Sequence, residues 1–155
     1  MTRRLNQSRP TWDDRFATPS IEDLLAALPP EILEPTQTLR ESLANDTELV
    51  ESLRWCGLPW RWALTYAPPG AANEREAVAF LVPNPESPAV VFRLTLDQAG
   101  GLPLKKLSRF ARDGLAQARL IAGVAWPEWK YQSANQAGEL AELFCTLRQN
   151  ATATT

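Results

Sequence analysis

Histidine is absent from these 155 residues, methionine occurs once and cysteine twice. Without imidazole the chain lacks the usual general base, the usual member of a catalytic triad and the commonest metal ligand. Cys56 and Cys145 stand far apart and belong to no CxxC or CxxH pattern, so neither a disulfide framework nor a zinc site is expected. A strong charge of either sign is missing as well. The formal net charge of -2 gives no overall pull towards nucleic acid or an anionic membrane. No apolar run approaches the roughly 20 residues that span a bilayer. The opening MTRRLNQSRP runs into TWDDRF instead of an apolar stretch, so it does not read as a secretory leader. These absences lead us to expect no cofactor, no nucleic acid and no membrane partner, and a cytoplasmic setting.

Tryptophan is what the chain has in quantity, with six residues, alongside 13 prolines that keep its elements short. Indole rings supply large apolar surface with one polar handle each, suited to a core, a groove or an interface. The length is that of one domain, with 45% hydrophobic and 22% charged residues, as in soluble globular proteins. Residues 1–17 are polar and arginine-rich, with Leu5, Trp12 and Phe16 as their only bulky anchors, and read as a flexible arm that can lie on the body. Residues 18–150 form the expected domain, and residues 151–155 a fraying tail.

Thr18 and Pro19 resemble a helix start, followed by the apolar stripe Ile21, Leu24, Leu25 and Leu28 and a stop at Pro29 and Pro30. Leu39 and Leu43, then Leu49, Val50 and Leu53, continue a helical spacing with Asn45 and Asp46 as a second cap, which predicts two short helices, or one kinked helix as the alternative. Gly57 and Pro59 then break the helix. Alternation places Trp60, Trp62, Leu64 and Tyr66 on one face of a strand and Arg61, Ala63 and Thr65 on the other. Residues 76–82 (EAVAFLV) read as a central strand apolar on both sides, and residues 89–95 (AVVFRLT) alternate again, which together predict an antiparallel meander. Leu104, Leu107, Ala111, Leu115 and Ala118 then predict an amphipathic helix with Lys105, Lys106, Arg109, Arg112 and Arg119 on its outer arc. A strand over 124–132, with Pro127 marking an edge or bulge, precedes a closing helix carrying Leu140, Leu143, Phe144 and Leu147. The order ααα-βββ-α-β-α predicts an α+β domain with a small, mainly antiparallel four-stranded sheet and helices on one face.

Several of these residues resemble a group of small bacterial α+β proteins of unknown function that is loosely YdhG-like. The likeness rests on Leu53-Arg54-Trp55 with Gly57 and Pro59, Trp62, the Val82-Pro83-Asn84-Pro85 turn, Trp126 and the closing leucine-rich helix. It implies the fold and lends no catalytic residues.

Strand parity suggests a place for chemistry on the outer sheet face, where Arg61 and Thr65, Arg93 and Thr95, and Glu128 and Lys130 would converge over Ala77, Ala79 and Leu81. Two guanidiniums there would receive a carboxylate or phosphate bidentately. The plainer reading is a solvated face with cross-strand ion pairs. Trp60, Trp62, Phe80, Phe92, Trp129 and Tyr131 read as core, whereas Trp55 and Trp126, at element edges, are candidates to line a cleft. The basic helix, net +4 with Asp113 counted, could track a phosphate backbone or a lipid surface, but the stretch over 21–51, with eight carboxylates and one arginine, could neutralise it in cis or across a dimer. A solvated surface explains it without a partner. Cys56 has no histidine to activate it and reads as an inert thiol.

The leading expectation is a non-enzymatic domain that binds a small anionic ligand or a protein partner through an aromatic, arginine-bearing sheet surface. Its ligand-binding candidates are Arg61, Arg93, Trp55, Trp126, Glu128 and Lys130. The rival is a small enzyme for an anionic substrate, with Arg61 and Arg93 as the clamp and Glu128 as base. A third reading is a homodimer built on the tryptophan-rich edge, which requires an exposed apolar patch there.

Overall fold

The computed structural model describes residues 11–57, 60–71 and 76–153. The first ten residues of the expected arm, Pro59, part of the loop after residue 71 and the last two residues of the tail lie outside the described residues. Ser20 caps the first helix, its hydroxyl accepting the Asp23 N–H at 3.0 Å, and α1 runs Ile21–Ala26. The expected start at Thr18 therefore moves two residues on, to the oxygen that lies three positions ahead of an orphan N–H. Helix α2 (Pro30–Ala44) opens on a proline, where the missing N–H costs nothing. Its Ile32, Leu39 and Leu43 are buried as one stripe.

The third expected helix is a strand. Residues 50–55 form β1 (Val50–Trp55), paired over its whole length with β2 (Trp62–Ala67), from Val50 opposite Ala67 to Trp55 opposite Trp62. Leu49, Val50 and Leu53 satisfy a helical spacing, but Glu51, Leu53 and Trp55 also alternate with Val50, Ser52 and Arg54. Six cross-strand pairs decide between the two periods. Beyond β2 come β3 (Ala79–Val82) and β4 (Ala89–Phe92), then β5 (Leu94–Thr95), α3 (Leu96–Gly100) and α4 (Arg109–Ala116). The chain closes with β6 (Arg119–Ile121), β7 (Val124–Trp126), β8 (Glu128–Lys130) and α5 (Ala134–Ala153), which runs on through the start of the expected tail.

The α+β class holds, but in place of one four-stranded sheet the described residues form a main sheet of five antiparallel strands, in the order β1-β2-β3-β4-β8, and a second sheet ordered β5-β7-β6. Pro127 divides the single expected return strand into β7 and β8, which join different sheets. Its carbonyl still accepts the Phe92 N–H at 3.1 Å, so only its own missing donor interrupts the ladder. The expected basic helix is likewise broken, into a 3-10 turn (Leu104–Lys106), α4 and β6. Its five cationic side chains are exposed on three separate elements.

One core lies between the sheet and helices α2 and α5. Leu64, Tyr66, Ala79, Leu81, Val90, Phe92, Trp129 and Tyr131 supply its sheet side. A second core covers the other face with Ala63, Phe80, Val82, Ala89 and Val91, and takes in Trp62, Trp12 and Leu24. The centre of that outer face is dry: Ala63, Phe80 and Val91 are at most 1% exposed. Trp60 and Trp126 pack on either side of Phe80, with ring centroids 4.9 and 6.0 Å away.

Two expectations about parity are thereby corrected. Phe80 points away from the helices while Ala79 and Leu81 point towards them, because Tyr66 pairs with Ala79 and Leu64 with Leu81. A strand apolar on both faces carries no signal of which side is which. Trp60 lies on the outer face because Arg61 takes a left-handed backbone, φ 55°, which breaks the alternation before β2 begins.

Candidate functional site

Arg61 is committed inside the molecule. Its Nε lies 2.7 Å from Asp13 Oδ1, off the line that a hydrogen bond needs, so the contact is an ion pair. Its guanidinium also sits 5.1 Å above the Trp12 ring. Trp12 Nε1 donates to the Trp60 carbonyl at 3.1 Å, and Trp62 Nε1 donates to the Asp14 carbonyl at 2.7 Å. Residues 11–14, expected as part of a flexible arm, are thus seated on the body by two indole donors, an ion pair and a cation–π contact.

Arg93 stands elsewhere. Strand β4 ends at Phe92, and the Arg93 N–H donates to Val78, whose own N–H donates to Tyr66. Arg93 is therefore level with the far end of β2 from Arg61, roughly 17 Å along that strand at 3.4 Å per residue. Its side chain borders a cleft with Phe144, Leu147 and Arg148 of α5. Alternation does not carry across the break between β4 and β5, so the expected convergence of Arg61 and Arg93 on one face does not occur.

The remaining expected site residues are also dispersed. Glu128 and Lys130 are exposed on β8, the edge opposite β1. Trp126 is half-buried against Phe80, and Trp55 is half-buried edge-on to Trp62 at 5.6 Å. None of the six tryptophans is exposed. Among the described residues the exposed large apolar side chains are aliphatic apart from Phe16, and two of them, Leu120 and Ile121, lie on β6, an edge of the second sheet.

An arginine does stand beside Thr65 and Ala77, where the outer-face reading wanted one, but it is Arg54. With Ser52 it projects from β1 over a pocket of about 80 Å³ that Thr65, Gly70 and Ala77 also line. Among the described residues no carboxylate lines this pocket and Arg54 has no ion-pair partner. The Thr65 hydroxyl, 3.4 Å from the Ser52 carbonyl, is held only loosely. A half-buried guanidinium and two hydroxyls therefore converge on a space for about two or three waters or one small anion. The signal for Arg54 was available in the Val50, Ser52, Arg54 alternation, and the helical reading of the same residues hid it.

On the opposite face of β1, Glu51 accepts two hydrogen bonds from Arg40, at 2.9 and 3.0 Å, and one from the Tyr66 hydroxyl at 2.6 Å. Burial alone would raise the Glu51 carboxyl, but these donors outweigh it and hold the group below its ordinary range. The bond from Arg40 to Glu51 raises the guanidinium in turn. Burial, reinforced by Glu51, drives the Tyr66 phenol far above its usual value. The Glu51 carboxylate is taken up by three donors of its own cluster, which marks a structural network.

Among the described residues no group of histidine, cysteine and carboxylate side chains could hold a metal ion, and no helix is long and apolar enough to cross a membrane. No protein-family model matches the chain, and no curated protein matches it.

Proposed function

We propose that this domain is a binding module for a small oxyanion of phosphate size, held at the Arg54 pocket on the outer face of the sheet. The single observation that carries this reading is a half-buried arginine, without a carboxylate partner among the described residues, that shares a cavity with Ser52 and Thr65. An uncompensated guanidinium in a partly dry site gains more from an anion than a surface one does, because water screens it less. A binding role is favoured over an enzymatic one by the spread of the expected machinery. Glu128 stands at the far edge of a five-stranded sheet, roughly 19 Å from β1 at 4.8 Å per strand. Cys56 and Cys145, two cysteines outside any disulfide, fit the reducing cytoplasm as the place where it works. Kinship with the YdhG-like bacterial domains belongs to the same reading, supported by Trp62 in the meander and the leucine-rich α5.

Calorimetric titration of the full chain with inorganic phosphate tests the proposal. Saturable binding that Arg54→Gln abolishes, Ser52→Ala weakens and Arg112→Gln leaves intact is the expected result. Binding that persists in a folded Arg54→Gln variant, or no saturable binding in the native chain, overturns it.

A further inference from the structure

We infer that the domain has a second, chemically different site, a receptor for a short-chain monocarboxylate in the cleft between the β4–β5 junction and α5. This cleft, about 80 Å³ in volume, joins an apolar floor of Val78, Leu94, Phe144 and Leu147 to the side chains of Arg93 and Arg148. Its two cations are not equivalent. Arg148 Nε is spent on Asp46 Oδ2 at 2.6 Å, a bond that ties α5 to the turn before β1. Arg93 is half-buried and, among the described residues, has no ion-pair partner.

The neighbouring polar groups are mostly engaged. Thr95 and Gln98 form a reciprocal capping box, the Thr95 hydroxyl accepting the Gln98 N–H at 3.1 Å and Gln98 Oε1 accepting the Thr95 N–H at 2.9 Å. That arrangement fixes the Gln98 oxygen on the backbone and leaves its amide N–H2 as a donor beside Arg93. The cleft therefore offers one guanidinium fork, one amide donor, the undonated O–H of Thr95 and an aliphatic-aromatic wall. A carboxylate matches the fork in two parallel hydrogen bonds, and a methylene or two would cover Phe144 and Leu147. A phosphate dianion fits worse, since Asp46 already offsets the second cation and, among the described residues, the Thr95 O–H is the one hydroxyl at hand to complete its shell. The Arg54 pocket reverses this balance, with two hydroxyls around its cation, so the two sites should sort their anions by chemistry.

The test is a nuclear magnetic resonance titration of the full chain with sodium acetate, propionate and butyrate, with sodium chloride at matched ionic strength as reference. Expected are saturable shifts at the Arg93 side-chain N–H, the Gln98 side-chain amide and the Leu147 amide, with affinity rising from acetate to butyrate. In Arg93→Gln the affinity should fall about tenfold or more, the loss of one charge-assisted pair. Arg93→Lys keeps the charge and the fold but not the fork, and should bind with intermediate strength. Shifts that chloride reproduces, that do not saturate, or that survive unchanged in a folded Arg93→Gln overturn the proposal. Phosphate displacing butyrate at Arg93 overturns the assignment of ligand class.

Discussion

A β-carbon placed on Gly114 would lie 2.0 Å from Nε1 of Trp129. The indole reaches α4 this closely because its N–H donates to the Ala111 carbonyl, one turn earlier, at 3.2 Å. Glycine inside a helix ordinarily costs about 1 kcal/mol relative to alanine, so Gly114→Ala should stabilise α4 if nothing stood beside it. A rigid, 2% exposed indole does stand there, and displacing it means both overpacking and an unsatisfied buried donor. The expected net result is destabilisation by roughly 1–3 kcal/mol. Urea unfolding followed by tryptophan fluorescence measures it, and a gain in stability would mean that the ring can move aside without loss.

The Arg61–Asp13 pair supplies a second expectation. Both side chains are about a third exposed, 27% and 31%, so the ion pair itself should be worth only about 0.2–1 kcal/mol. Its larger effect is to seat Trp12 and Asp14 on the sheet end. Arg61→Ala keeps the backbone requirement at φ 55° and removes both the ion pair and the cation–π contact, which isolates the side chain's role. Amide exchange over residues 12–17 should speed up in Arg61→Ala, and to a smaller degree in Asp13→Asn. Equal protection in both variants and the native chain would show that the two indole hydrogen bonds seat the segment alone.

Legibility in the sequence followed the strength of each local signal. The α5 stripe was readable because one face is buried, and the β2 alternation because bulky and small side chains take turns, although both faces of β2 are buried. Ala79–Val82 announced a central strand and gave no facing, since both sides are dry. Val50–Trp55 fits either period over six residues, and only pairing with β2 decides it, so Arg54 was passed over with its strand. Arg61 and Arg93 failed for another reason. Each sits where the chain leaves regular β geometry, one at a positive φ and one between two sheets, and parity has no meaning there. The candidate site was thus legible as a type of surface, and its residues became legible only with the register.

Stability should fall on both sides of neutrality, for opposite reasons. Glu51 is held below the ordinary carboxyl range by Arg40 and Tyr66, so its contribution is present above pH ~4.3 and is lost as pH falls through its lowered folded value. Both tyrosines of the chain are buried, and burial raises both phenols. Their contribution is complete below pH ~10 and is lost as pH climbs towards the raised folded values. Ultraviolet absorbance should therefore record no tyrosinate until the chain unfolds, and then both groups together. Tyr66→Phe should leave one such group and also start the acid loss at higher pH, because Glu51 forfeits a donor. A gradual titration near the ordinary tyrosine value would contradict the buried geometry.

The turn between β6 and β7 offers a stabilising change. Ile121 pairs with Val124 across a two-residue loop in which Ala122 and Gly123 both have positive φ, 52° and 79°. This is the backbone pattern of a type I′ hairpin turn, whose twist matches that of the strands it joins. Alanine is strained at the first of these positions, whereas asparagine adopts it readily, and Asn-Gly is the preferred pair. Ala122→Asn or Ala122→Gly should relieve that strain, with the asparagine variant gaining about 0.5–1 kcal/mol. Glycine should gain less, because it also loosens the unfolded chain. Thermal and urea unfolding of the two variants distinguish relief of strain from entropy, and an asparagine variant no more stable than the native chain would show that the hairpin frays before the rest of the domain melts.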